Sequence, residues 1–323
     1  MIPGFQSVKL KCAMAYRIKN SARLLEAGSR IYKEQVRHLY RDIENAPNDP
    51  DEALHEVRKR LKKIRALLKL YRYLRPVARE ENRFFRDLGR RLSDLRDAKA
   101  KLELLYALER ESGKDPGASG LRPVREKLEV LHREQTADGR RILKALEETW
   151  RAIRKFEQEQ APWESPAEDD MALLTSGLKR YYKRNQKAHR ACFSKGKPNP
   201  EADFHDYRKQ AKTLYLQLQI LENGWPKIMK AYRIEWQRQA TLLGDDHDIT
   251  IMQDLLAERN FRESLEPRNL FEFTAGMDSH RRDLRIRART LGNLLLIDSP
   301  KIAARRIQTY WSHRRKAPNK ALA

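Results

Sequence analysis

Nearly every long segment of this chain spaces its apolar residues three and four positions apart, the repeat of one face of an α-helix. In the first half the series runs Leu54, Val57, Leu61, Ile64, Leu68 and Tyr71. In the second it runs Phe204, Tyr207, Ala211, Leu214, Leu218 and Leu221. Leu, Ala, Arg, Lys and Glu, all good helix formers, dominate these segments. No run alternates β-branched and polar residues as a half-buried strand would. Pro, Gly, Asn and Asp punctuate the chain at 46–51, 111–123, 160–170, 194–200 and 266–268. Segment 160–170, QAPWESPAEDD, is acidic, holds two prolines and reads as a linker. The pattern predicts an all-α protein with one half over 1–159 and another over 171–323.

The halves read as copies. Segment 51–74, DEALHEVRKRLKKIRALLKLYRYL, aligns with 201–224, EADFHDYRKQAKTLYLQLQILENG. His55 meets His205, Arg58 meets Arg208, Lys59 meets Lys209 and Lys62 meets Lys212. Further on, 92–105 (LSDLRDAKAKLELL) aligns with 243–256 (LGDDHDITIMQDLL), so that Arg96 meets His247 and Asp97 meets Asp248. A repeat of this length predicts two related helical bundles.

The polar positions carry an unusual pattern. His55, Arg58, Lys62, Arg65, Lys69 and Arg72 follow one another at steps of three and four, within an arc of about 100° on a helix, and a basic stripe is expected over 55–75 on one helix, to Arg75. Like charges four residues apart destabilise a helix by a few tenths of a kcal/mol each. A merely solvated face normally mixes signs, yet the only acidic residue between His55 and Arg75 is Glu56. The second copy keeps His205, Arg208, Lys209 and Lys212, then turns to Tyr215, Gln219 and Glu222. Further cations, Arg83, Arg86, Arg90, Arg91 and Arg96, are expected on the helix leading to Asp97. Arg133, Arg140 and Arg141 are expected on a third.

Composition agrees. Lys and Arg number 68 against 45 Asp and Glu, a net charge of +23, which asks for a polyanionic partner without naming it. A hydrophobic share of 40% is enough for a packed core and excludes a disordered basic tail. Two cysteines, Cys12 and Cys192, cannot make a disulfide framework. No apolar run is long enough to span a bilayer, and the first residues lack the pattern of a signal peptide. The expectation is a cytoplasmic protein without membrane insertion.

The blocks HEVRKRLKKIRALLKLYR and HDYRKQAKTLYLQLQIL, each followed by its Asp-containing partner block, resemble the CHAD domain (conserved histidine α-helical domain). The resemblance covers roughly residues 21 to 311. It implies two four-helix bundles related by a pseudo-twofold axis, with a basic central cleft that binds inorganic polyphosphate. Carried onto this sequence, the implied contacts are His55, Arg58, Lys59, Lys62, Arg65, His205, Arg208, Lys209 and Lys212, with Arg96 and His247 beside them. Lys69 joins them as part of the stripe. Asp97 and Asp248 are expected to orient the stripe rather than touch ligand. Tyr215 in place of Arg65 implies an asymmetric groove, stronger on the first helix. The resemblance suggests polyphosphate granules or polyphosphate-metabolising proteins as further partners. The triphosphate-tunnel catalytic domain that often precedes this family carries an E-x-E-x-K signature, which is absent here, so a stand-alone binding module is expected.

Two other classes compete. A nucleic-acid-binding protein fits the charge equally well, but the rings of the motif helices fall mostly on the apolar arc, as with Tyr71, Phe204 and Tyr207, rather than among the cations, whereas single-strand binders want exposed stacking rings. His205 with His247-Asp248 weakly resembles the ligands of HD-type phosphohydrolases. However, the first copy has Arg96-Asp97 there, and Arg is not a metal ligand. No Walker, H-E-x-x-H or C-x-x-C motif occurs. The expectation is therefore no catalysis, no cofactor and no metal.

Overall fold

A computed structural model describes residues 16–20, 22–93, 95, 101–106, 109, 120–137, 139–163, 171–194 and 200–316. Among these the protein is helical throughout its regular structure and no strand occurs. The order is α1 (Leu24–Glu44), α2 (Pro50–Leu70), α3 (Ala78–Arg91), α4 (Arg122–Ala137), α5 (Gly139–Glu159) and α6 (Met171–Phe193). It continues with α7 (Pro200–Ile220), α8 (Pro226–Ala257), the short α9 (Arg259–Arg262), α10 (Pro267–Leu295) and α11 (Pro300–Lys316). A 3₁₀ turn, Glu222–Gly224, separates α7 from α8, and residues 101–106 are helical. No helix among the described residues is long and apolar enough to cross a membrane.

The punctuation read from sequence marks real ends. Asp49 caps α2, its side chain accepting a hydrogen bond from the Glu52 amide at 3.0 Å. Pro50 fills the first turn, where its missing N–H costs nothing, and Asp51 and Glu52 face the positive end of the helix dipole. Pro226 and Pro267 begin α8 and α10 in the same way.

The apolar arc of α2 is buried as its periodicity predicts: Leu54, Val57, Leu61, Ile64, Leu68 and Tyr71 expose 1% or less. Ala66, Leu67 and Leu70 are buried too, so the last turns of α2 are covered on more than one side. The reason is tertiary. α2 packs against α1 and α3, and also against α6 and α7. Gln217 Nε2 of α7 donates to the Ala66 carbonyl of α2 at 3.4 Å. Gly177 of α6 sits on the C-terminal end of α2, where a Cβ would lie 2.1 Å from the Leu70 oxygen. Residues 16–18 strap the two helices together: Tyr16 Oη donates to the Lys63 carbonyl at 2.7 Å and the Ile18 amide to the Ile220 carbonyl at 3.0 Å. Beyond α7, α8 packs on α7 and α10, and α11 packs on α6. Trp311 of α11 is fully buried, and its Nε1 donates to the Leu221 carbonyl at 3.0 Å.

Three expectations about cations need correction. The stripe does not continue on one helix to Arg75. Helix α2 ends at Leu70, and Arg75 lies in the following turn, 4% exposed and buried in the fold. It grips Glu81 at 2.6 Å, donates to the carbonyls of Ala161 (2.6 Å) and Pro162 (2.8 Å), and lies 4.7 Å over the ring of Trp163. Trp163 packs in turn on Tyr32 and Tyr71, so 160–163, the start of the acidic segment, is anchored on the core. The second correction concerns α3, which stops at Arg91 rather than running on towards Asp97. Its end tightens, with Ser93 N donating to the Arg90 carbonyl at 2.9 Å and Ser93 Oγ to the Gly89 carbonyl at 3.0 Å. Arg133 lies in α4 while Arg140 and Arg141 lie in α5.

Candidate functional site

Helices α2 and α7 lie against each other, and the cationic side of each opens onto two cavities. One, of about 740 Å³, is lined from α2, α3, α6 and α7. The other, of about 950 Å³, is lined from α2, residues 101–104, α7 and α8. They share Arg58, Lys62, Arg208, Lys212, Leu216 and His247. The shared set thus takes two cations from each motif helix and one histidine from α8.

Of the residues singled out in sequence, Arg65, Lys69, His205 and Lys209 line the smaller cavity. His55, Lys59 and Asp248 line the larger. Arg96 and Asp97 lie outside the described residues. Tyr215, the repeat counterpart of Arg65, lines the larger cavity. Glu222, the counterpart of Arg72, is buried and binds Arg17 at 3.0 Å and Arg233 at 2.7 Å, whereas Arg72 lines the smaller cavity. Glu222 is therefore spent on holding the fold.

Packing from several sides makes the cations strained. Lys69 has its pKa pulled down to about 7, first by burial and then by Arg65 and Arg184. Its Nζ donates to Thr213 Oγ1 at 3.2 Å and lies 5.3 Å from the centre of the Tyr181 ring. Burial also lowers Arg65, with Arg86 and Arg90 adding to it, and lowers Arg72, with Arg180 and Arg79 adding. Lys212 is lowered by burial and Arg208, against the opposing pull of Asp248.

The histidines of α7 and α8 meet. The rings of His205 and His247 have centroids 4.5 Å apart. Burial, then Lys209 and Arg208, lower the pKa of His205. Burial, Arg208 and His205 bring His247 down to about 4. Both rings are therefore neutral at pH 7, able to donate one hydrogen bond each. Asp248, raised by burial, stands 4.0 Å from Arg208. Among the described residues no group of three or more His, Cys, Asp or Glu is arranged to hold a metal ion.

Other cations are engaged elsewhere. Arg60 is 15% exposed and bonded to Asp42 and Glu56, both at 3.0 Å. Lys59 is half exposed and meets Glu56 at 2.6 Å. Arg281 and Arg285 of α10 converge on buried Asp246, at 3.4 and 2.6 Å, and on Glu201, at 2.8 and 3.6 Å. Asp246 has Leu95 at its repeat position, so no copy announced this cluster.

Sequence reading missed Arg184 and Tyr181 of α6 and Arg79 of α3, which line the smaller cavity. Arg184 Cζ lies 5.3 Å from the Tyr181 ring centre. Periodicity compares residues along one helix, and no such comparison marks a residue brought in from another.

Against known proteins, the family model described as CHAD domain matches residues 30–257 of the 323-residue chain, a span that takes in α2 to α8. No curated protein matches the chain.

Proposed function

The chain belongs to the CHAD-domain family, and from that premise we propose that it binds inorganic polyphosphate without transforming it. The observation that carries the proposal is the shared rim, where Arg58 and Lys62 of one motif helix meet Arg208 and Lys212 of the other beside His247. In this reading the two cavities form one basic cleft between two bundles derived from an internal repeat. Supporting the repeat, α2 and α7 each start at a proline and span 21 residues at a constant offset.

A phosphate polymer suits these side chains. It carries about one charge per phosphate and no bases, so it needs a row of cations rather than a donor code. Arg grips two phosphoryl oxygens in a fixed fork, and Lys acts as a mobile point charge. Cations recur on α2 about once per 5.4 Å turn. His55, His205 and His247 add hydrogen bonds, and Asp248 orients Arg208. The ligand's charge relieves the repulsion that lowers Lys69 and Lys212. A cytoplasmic location, on polyphosphate granules or beside polyphosphate-metabolising proteins, follows as part of the same proposal.

Nucleic acid is the competing polyanion. Tyr181, the ring beneath Lys69 and Arg184, is 3% exposed and offers no face for a base. That favours the polymer without bases.

The test is replacement of Arg58, Lys62 and Arg65 together by Gln. Long-chain polyphosphate binding should be lost while helix content stays intact, and the slope of log Kobs on log salt should fall by about one per lost phosphate contact. Arg268→Gln, at an exposed position in the first turn of α10, should leave binding unchanged. Unchanged affinity in the triple variant, or displacement of polyphosphate by RNA or duplex DNA at equal phosphate concentration, would overturn the proposal.

A further inference from the structure

The two cavities differ in the sign of what lines them. The smaller is walled by Arg65, Lys69 and Arg72 from one side and Arg79, Arg86 and Arg90 from another. Arg184 closes it from α6. Among the described residues no carboxylate lines it. Asp87 pairs with Arg86 at 2.9 Å but stands outside the lining. The larger cavity sets Glu103, Asp248, Asp254 and Glu258 among its cations. Glu258 already lies 3.9 Å from Lys101.

A second observation points to a ligand in the smaller cavity. Arg65 Nε and His205 Nδ1 are buried and have no hydrogen-bond partner among the described residues. Both residues line this cavity. A buried polar atom left without a partner is costly, and groups forced together with like charge are stabilised by an anion rich in acceptors. Phosphoryl oxygens supply both at once. In the larger cavity an incoming phosphate meets carboxylates as well as cations, and the same Coulomb attraction is partly cancelled.

We infer that, on the polyphosphate reading, the cleft is one-ended: the cavity that no carboxylate lines among the described residues anchors a short, phosphate-dense segment, and Arg79 and Arg184, outside the two motif helices, are affinity-determining contacts. The carboxylates of the larger cavity then turn the rest of a long chain outward to solvent. The site contacts a fixed number of phosphates whatever the polymer length. Its partner is the oligophosphate segment, and long chains bind through the same segment.

The salt dependence of binding measures this directly, because the slope of log Kobs on log salt reports how many phosphates are neutralised. The full chain is titrated with tripolyphosphate, with a short oligophosphate and with long-chain polyphosphate at several salt concentrations. The slope should level off at the short oligophosphate and not grow further with the long chain. Arg79→Gln with Arg184→Gln, both exposed positions, should weaken the short and the long ligand alike by about tenfold or more, with helix content unchanged. Asp254→Asn with Glu258→Gln should raise the slope for the long chain and leave the short one as it was. A slope that keeps rising with chain length in the unaltered protein, or full affinity of the Arg79/Arg184 variant for the short oligophosphate, overturns the inference while polyphosphate binding itself stands. Failure of every phosphate polymer to bind overturns the polyphosphate reading beneath it.

Discussion

The imidazole rings of His205 and His247 lie with their centroids 4.5 Å apart and their planes inclined by 45°. They come from α7 and α8 and share one cationic surrounding, set by Arg208 and Lys209. Their protonation is therefore disfavoured in the free protein and favoured once an anion arrives.

Acidification should act in opposite directions on stability and on binding. Between about pH 4, where His247 titrates in the fold, and its ordinary value near 6.5, the unfolded chain holds a proton that the native chain lacks. Stability of the free protein thus falls as pH drops through this window. Bound polyphosphate raises both histidine pKa values, so affinity grows over the same window. Thermal unfolding and polyphosphate titration at pH 7 and pH 5 check both signs. A His205→Gln/His247→Gln variant should lose most of each slope; slopes equal to the original would place the titrating groups elsewhere.

Lys69 makes a separate prediction. Its pKa is about 7 in the fold and near 10.5 in the unfolded chain, so between those values the unfolded state carries the extra proton. Stability from this residue accordingly rises with pH across the window. Lys69→Met should melt higher than the original protein at pH 7, and the advantage should shrink by pH 10. Thr213 keeps a partner in the variant, since its hydroxyl donates to the Lys209 carbonyl at 2.9 Å. Polyphosphate affinity should fall, because the lysine that the ligand recharges is gone. A Met variant less stable at pH 7 than the original would show that Lys69 holds the fold together instead.

Arg75 should behave as a structural cation. Replacing it by Met leaves Glu81 buried without its counter-charge, with Gln160 Nε2 still donating to it at 2.9 Å, a loss of about 3–5 kcal/mol. Urea unfolding measures that cost. The double variant Arg75→Met/Glu81→Leu should recover much of it, and the folded double variant should bind polyphosphate normally. Weakened binding there would put Arg75 among the ligand contacts.

Gly177 tests the seating of α6. A methyl group there meets the Leu70 carbonyl oxygen, a backbone atom that cannot swing away. Gly177→Ala should cost about 1–3 kcal/mol as an overpacked contact. Tyr181 and Arg184 follow on the same helix, so oligophosphate affinity should drop with stability. An Ala variant with unchanged melting temperature and affinity would mean that α6 can shift without disturbing the cavity.

Much of this was legible in the chain. The three-and-four spacing from Leu54 to Tyr71 marked one buried arc, and the cations from Arg58 to Arg72 marked the arc beside it. Asp49 and Pro50 marked where the helix begins. The alignment of His205 with His55 and of Lys212 with Lys62 marked α2 and α7 as the helices whose cations belong together, and both helices do line the same two cavities. Arg75 misled the reading because a charge at the right spacing looks the same whether the helix has ended or not.

The sequence alone determined that the chain is helical and which side of the motif helices is apolar, because both depend on neighbours within a turn or two of the same chain. Tertiary structure alone decided which cations face a cavity and which are spent on the fold. Lys69 is half-buried because α7 and α6 cover the end of α2. Arg184 enters the cavity because Gly177 lets α6 approach. Arg281 and Arg285 point instead at Asp246. A charge's role is set by what stands within a few ångströms of its head group, and here those neighbours come from helices tens to hundreds of residues away in the chain.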